Sequence, residues 1–116
     1  MAGQFVTPDP QDFVNTFGVE PVITDETVRT LSFFDVTGEK LDFSYDAIGR
    51  SVSLTWHPAG GKIAVRNFRE GATLLRIIDR PDASRIVVDF STQDTIGQLD
   101  IQIFPRVEIS ERTLLC

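Results

Sequence analysis

The sequence is poor in the residues that build disulfide frameworks and zinc sites. Cys116 is the only cysteine and His57 the only histidine among 116 residues. A single thiol cannot form an internal disulfide, and one residue of each type cannot complete a structural zinc site. We therefore expect no bound metal and a reducing, cytoplasmic location.

Catalytic and cofactor-binding motifs are also missing. A hydrolytic nucleophile needs a neighbouring base, but His57 lies in a Pro/Gly loop and no G-x-S-x-G motif occurs. Gly60-Gly61 does not precede the helix that would hold a phosphate. The sequence predicts a chain that is not an enzyme and binds no cofactor. With seventeen acidic residues, a carboxylate pair assembled by folding stays open.

Long apolar runs are absent as well. No segment approaches the ~18 apolar residues that span a membrane, and the N-terminus lacks a basic-then-apolar signal pattern. We expect no membrane association.

Alternating apolar and polar residues dominate the chain from Thr27 onward, with turn residues about every ten positions. Short connections require antiparallel neighbours. The sequence predicts an all-β fold, an antiparallel sandwich or barrel of about eight strands, in a single domain over residues 1–116. The predicted strands are Thr27–Val36, Leu41–Tyr45, Val52–Trp56, Lys62–Phe68, Leu74–Asp79, Arg85–Phe90, Gly97–Ile103 and Val107–Leu115.

Three finer expectations come from local patterns. Residues 1–22 read as an irregular acidic lead segment, in which Asp9 and Pro10 begin a short helical turn that ends at Gly18. Apolar residues on both faces of Leu74–Asp79 favour a central strand. Pro105 predicts a bend or bulge.

The acidic side chains are concentrated in the first part of the chain. The net charge is −6, and residues 1–46 hold nine acidic against two basic side chains. This distribution favours docking to a basic protein and disfavours nucleic acid. The predicted partner-binding residues are Asp12, Glu20, Asp25, Glu26, Asp35, Glu39 and Asp42.

Six arginines lie in the middle of the chain, at positions 50, 66, 69, 76, 80 and 85. Arg66-Asn67-Phe68-Arg69 combines guanidinium groups with an aromatic ring, as nucleic-acid sites do. We favour the simpler interpretation that these arginines pair with carboxylates across neighbouring strands.

One segment resembles a repeat of known type. Residues 43–61, with Tyr45-Asp46, Gly49-Arg50 and the downstream Pro58-x-Gly60, resemble a single YD repeat of Rhs-type shell proteins. In that family the repeat is a β-hairpin, so the resemblance implies a hairpin here.

The chain as a whole resembles the small immunity proteins of bacterial polymorphic toxin systems. The resemblance lies in its small, acidic, mostly β character and in the stretch from Glu70-Gly71-Ala72-Thr73 through Phe104-Pro105-Arg106-Val107. It implies a non-enzymatic inhibitor that neutralises a partner protein by covering its surface. Two alternatives stay open: an assembly domain that self-associates through edge strands, and a β-barrel that binds a small ligand near Trp56 and His57.

Overall fold

The computed structural model describes residues 4–58 and 64–115. In chain order its elements are α1 (Pro10–Phe17), β1 (Val22–Asp25), β2 (Val28–Ser32), α2 (Phe34–Thr37), β3 (Lys40–Asp46), β4 (Ser51–His57), β5 (Val65–Glu70), β6 (Ala72–Asp79), β7 (Ser84–Ser91), β8 (Thr95–Phe104) and β9 (Glu108–Leu115). Within these residues, nine antiparallel strands form two sheets, β1-β2-β3-β4-β5 and β6-β7-β8-β9. The predicted all-β antiparallel fold is confirmed, with one strand more than the expected eight.

The two sheets share one hydrophobic core. Phe43 on β3 and Leu54 on β4 are directly opposed in the first sheet, and both are almost fully buried. On the second sheet, Ile86, Val88 and Leu99 join the same buried cluster. Because side chains alternate between the faces of a strand, each sheet turns one apolar face inward and one face outward. This arrangement is a sandwich rather than a closed barrel.

The helix α1 follows the pattern that the sequence predicts. The Asp9 carboxylate accepts a hydrogen bond from the Gln11 amide at 2.9 Å, Pro10 occupies the first turn, and Gly18 ends the helix with φ of 72°. Phe13 and Phe17 are buried. The helical part of the lead segment therefore contributes directly to the core.

The region of the first predicted strand differs from the expectation. The run Thr27–Val36 is divided into β2 and α2, and β1 precedes it. Phe33 is fully buried at the start of α2, and its amide donates to the Leu41 carbonyl at 2.9 Å. The chain leaves the sheet after Ser32, and the short helix buries Phe33 and leaves Phe34 exposed.

The prediction that Leu74–Asp79 forms a central strand is wrong. β6 lies at the edge of the second sheet. Its free edge is covered by the N-terminal segment, since the Val6 amide donates to the Thr73 carbonyl and the Leu75 amide to the Val6 carbonyl, both at 2.9 Å.

The other local predictions fall close to the observed elements. β3 and β4 form the hairpin expected from the YD-like segment, although residues 59–61 lie outside the described residues. The predicted strand Lys62–Phe68 is observed as β5, and residues 62 and 63 also lie outside the described residues. Pro105 follows β8 directly and separates it from β9.

A polar contact joins the two sheets on the side of β5 and β9. Arg69 of β5 places its guanidinium 4.0 Å from the centre of the Phe90 ring and 3.4 Å from a carboxylate oxygen of Glu111. Asn67 donates to the same carboxylate at 2.7 Å. A half-buried guanidinium beside a carboxylate and an aromatic face therefore closes this side of the sandwich.

Candidate functional site

The outward face of the first sheet carries small hydroxyl side chains at its centre. They alternate with the buried residues of β2, β3 and β4, so the fold places them together on one broad surface. We call this surface the hydroxyl face. Its residues are Thr24, Thr30, Ser32, Ser44, Ser51, Ser53 and Thr55.

Hydrogen bonds fix part of this face. The hydroxyl oxygens of Thr24 and Thr30 lie 3.0 Å apart, and those of Thr30 and Ser44 lie 2.8 Å apart. A hydroxyl both donates and accepts, and Ser and Thr lose little side-chain entropy when a surface is covered. The face is therefore suited to contact with another macromolecule over a broad area.

Phe68 on β5 is the exposed aromatic residue of this face. It lies directly opposite Ser53 in the sheet, and 65% of its side chain is exposed. Beside it is a shallow depression of about 100 Å³, lined in part by Ser44, Asp46 and Ser51. An exposed aromatic beside a small concavity is the usual form of an interface anchor.

Asp46 places a fixed negative charge at the end of this depression. Its Oδ1 accepts hydrogen bonds from the Gly49 amide at 2.9 Å, the Ile48 amide at 3.1 Å and the Thr27 hydroxyl at 2.8 Å. These bonds, that of Gly49 first and that of Thr27 next, lower the pKa of the carboxyl. The side chain is therefore ionised at neutral pH.

Tyr45 shows the opposite pKa shift on the inner face of β3. Burial raises the pKa of its hydroxyl, and the charge of Arg29 opposes that effect. The ring stacks on Phe13 and Phe43 with centroid distances of 5.6 and 6.2 Å. Tyr45 is a core residue with no role on the hydroxyl face.

The seven predicted partner-binding residues do not form one cluster. Asp42 lies on the outward face of β3, and Asp35 and Glu39 lie in the connection from β2 to β3, at the same end of the sheet. Asp25 and Glu26 lie at the β1–β2 turn, at the opposite end and on the same side as Asp46. The hydroxyl face is thus flanked by acidic residues at both ends.

The remaining two predicted residues lie elsewhere. Asp12 is on α1 and borders a cleft between that helix and β6 that Asp79 also lines. Glu20 follows α1. The structure therefore separates Asp12 from the hydroxyl face, and partner binding by each of the seven residues stays a prediction.

The outward face of the second sheet has a different chemistry. The Asp89 carboxylate contacts Arg76 at 3.4 Å and accepts from Gln98 at 3.0 Å, and Arg112 donates to Gln98 at 2.9 Å. Arg85 approaches Asp100 to 3.5 Å. Pairing across neighbouring strands, expected for the central arginines, is observed for these two, whereas Arg69 pairs with Glu111 of the other sheet.

The described residues hold few groups for metal chemistry. Residues 4–58 and 64–115 contain no cluster of three His, Cys, Asp or Glu side chains that would hold a metal ion. His57 ends β4 opposite Lys40, whereas the neighbouring Gly60-Gly61, named for the small-ligand alternative, lies outside the described residues. Among the described helices, none has the length and apolar character that a membrane crossing requires.

Comparison with solved structures gives one strong similarity. A chain in the structure described as a contact-dependent growth inhibition toxin–immunity protein complex from Klebsiella pneumoniae 342 superposes with a TM-score of 0.80. The alignment covers 97% of this chain and 99% of that chain at 18% sequence identity. The two chains share a fold. The expected resemblance to immunity proteins is thereby supported at the level of structure.

Sequence comparison adds nothing to this likeness. No protein-family model matches the chain, and no curated protein matches it. The similarity is therefore one of fold, and the surface residues of this chain must carry any argument about its activity.

Proposed function

We propose that this chain is a non-enzymatic immunity-type inhibitor that binds a toxic partner protein and neutralises it by covering its surface. The observation that carries the proposal is the full-length fold likeness to a chain of a toxin–immunity protein complex. The hydroxyl face, with its exposed Phe68, supplies a surface suited to such a contact. A cytoplasmic location, as predicted from the sequence, belongs to the same proposal.

The partner we propose is basic. Acidic residues flank both ends of the hydroxyl face, and the whole chain carries a charge of −6. Opposite charges on two proteins accelerate their encounter and exclude wrongly charged partners. Asp25, Glu26, Asp35, Glu39 and Asp42 are the predicted residues that lie where such steering would act.

The proposal is tested by capture followed by a growth assay. The tagged chain is used to capture proteins from its native host, and each stoichiometric partner is then produced in cells that lack the chain. We expect one captured protein to arrest growth and co-expression of the chain to restore it. If no captured protein is growth-inhibitory, the proposal is wrong.

Self-association is the second candidate, and β9 is the observation that favours it. β9 is an edge strand, and Leu114 and Leu115 near its end are 64% and 86% exposed. Exposed edges with apolar residues pair with other strands. Light scattering across a concentration series tests this, since a monomer at all concentrations contradicts it.

A further inference from the structure

We propose that the depression beside Phe68 receives an arginine side chain of the partner protein. This inference rests on the proposed function, because it names the chemistry by which the hydroxyl face would hold a basic partner. We call the site the cradle and define it by Ser44, Asp46, Ser51, Ser53 and Phe68.

The strand register brings the walls of the cradle together. Asp46, Ser51 and Glu70 are directly opposed across β3, β4 and β5, and Ser44, Ser53 and Phe68 form the next row along the strands. Neighbouring strands lie about 4.8 Å apart, so small serines separate the Asp46 carboxylate from the Phe68 ring. The resulting depression of about 100 Å³ is of the size of one long side chain.

The Asp46 carboxylate has one oxygen available for a partner. All three of its hydrogen bonds go to Oδ1, from Thr27, Ile48 and Gly49. Oδ2 accepts no hydrogen bond from the described part of the chain and forms no ion pair with it. A carboxylate that is held rigidly through one oxygen therefore presents the other to an incoming donor.

The same chain contains an occupied version of this arrangement. Arg69 lies over the Phe90 ring at 4.0 Å and approaches the Glu111 carboxylate to 3.4 Å. The cradle likewise combines an aromatic ring, that of Phe68, with a carboxylate, that of Asp46. Among the described residues, no cation lies over the Phe68 ring. The missing component is a guanidinium group, which stacks on an aromatic ring and donates in a planar fork, as an ammonium does not.

The charge of the cradle favours the same occupant. Asp46 and the exposed Glu70 lie on either side of Ser51, and Asp25 and Glu26 lie at the neighbouring turn. The nearest cations are Arg66, opposite Thr55 and one row beyond Phe68, and Arg50, which precedes Ser51 and lines a separate depression with Phe5 and Ile48. A basic partner would thus find a locally acidic site with one aromatic wall.

A small probe tests the cradle without the partner. N-acetylarginine methylamide is titrated into the labelled chain, and the backbone amides are followed by NMR, with the neutral citrulline compound as the matched ligand. We expect shifts centred on Asp46, Ile48, Gly49 and Phe68 with arginine and none with citrulline. Equal shifts with both compounds would overturn the proposal. So would the absence of shifts with either compound at about 50 mM, which is the weakest affinity expected for a ligand this small.

The variants Asp46→Asn and Phe68→Ser test the role of the cradle in partner binding. Asparagine keeps an oxygen to accept from the Gly49 amide and removes only the charge. We expect each variant to weaken binding of the captured partner by about tenfold or more. Two controls on the other sheet, Ile96→Ser at a residue of β8 that is 47% exposed and Asp82→Asn at the β6–β7 turn, should leave the affinity unchanged.

The outcomes separate this inference from the proposed function. If a growth-inhibitory partner is captured and both cradle variants bind it as tightly as the unmodified chain, the cradle proposal is wrong and the immunity-type function stands. If no such partner exists but arginine binds the cradle, the proposed function fails and the binding site remains.

Discussion

At the scale of single residues, Asp46 links the stability of a turn to pH. Its folded-state pKa is lowered by the hydrogen bonds that Oδ1 accepts. The stabilisation is therefore present above the unfolded pKa of about 3.9 and is lost as pH falls through the lower folded value. We expect Asp46→Ala to reduce the free energy of unfolding at pH 7 by about 1 kcal/mol, and the difference to shrink below about pH 4.

Urea denaturation of this variant across a pH series measures the effect. Asp46→Asn is the matched control, since it keeps an acceptor for the turn amides and should lose less stability at pH 7. A deficit of Asp46→Ala that stays constant down to about pH 2 would show that the charge of the carboxylate is irrelevant to the turn.

Gly97 gives a second prediction at this scale. A Cβ at this position would lie 2.5 Å from Nη2 of Arg69 and 2.9 Å from the Arg112 carbonyl oxygen. The arginine can move, but the carbonyl belongs to the paired strand β9. We expect Gly97→Ala to destabilise the fold by about 1–3 kcal/mol in thermal or urea unfolding. Ser110→Ala on the exposed face of β9 is the control, and equal stability of the two variants contradicts the prediction.

The residues of the cradle show where sequence reasoning ends. Phe68 and Asp46 were not among the predicted site residues, because their neighbourhood depends on the register of three strands. The sequence offers one usable signal, the alternation of Ser44 with Phe43 and of Ser53 with Leu54, which places small hydroxyls on one face. It does not give the register that places Phe68 opposite Ser53.

At the scale of elements, local chemistry was sufficient to predict α1, whereas the position of β6 and the end of β2 depend on non-local contacts. Asp9, Pro10 and Gly18 mark the helix ends through the hydrogen-bonding needs of the helix itself. The position of β6 could not be predicted, because its outer hydrogen-bonding edge is covered by Val6, about seventy positions earlier in the chain. The end of β2 likewise depends on the burial of Phe33.

The packing of α1 leads to a prediction that compares a buried phenylalanine with an exposed one. Phe13 is fully buried and stacks on Tyr45, whereas Phe34 on α2 is 56% exposed. We expect Phe13→Ala to lower the free energy of unfolding by about 3–5 kcal/mol. Phe34→Ala should change it by less than about 0.5 kcal/mol. Urea denaturation of both variants checks this, and similar losses would mean that α1 does not belong to the cooperative core.

At the scale of the whole molecule, strand periodicity was sufficient to predict an all-β antiparallel fold. It was insufficient to predict how charged side chains are distributed over the outward faces of the two sheets. The outward face of the second sheet neutralises its arginines internally, as in the Arg85–Asp100 pair. The first sheet instead carries acidic residues at both ends of a row of hydroxyl side chains, with Lys40 and Arg66 beside Asp42 at one end. Only the assignment of strands to sheets reveals this difference.

This division of charge predicts how salt affects association with the captured partner. Electrostatic steering acts on the association rate and is screened by ions. We expect the association rate constant, measured by stopped flow, to fall about tenfold between about 50 and 500 mM salt, while dissociation changes less. Removing charge beside the hydroxyl face should weaken that dependence more than removing it elsewhere.

Two double variants of equal net charge make the comparison. Asp35→Asn with Asp42→Asn neutralises one end of the hydroxyl face, and Asp82→Asn with Asp94→Asn neutralises exposed turns of the second sheet. The first pair should reduce both the low-salt association rate and its salt dependence. The second should change them less, because its charges lie at turns of the other sheet. Equal effects of both pairs would mean that the partner responds to total charge, and the hydroxyl face would lose its assignment as the docking surface.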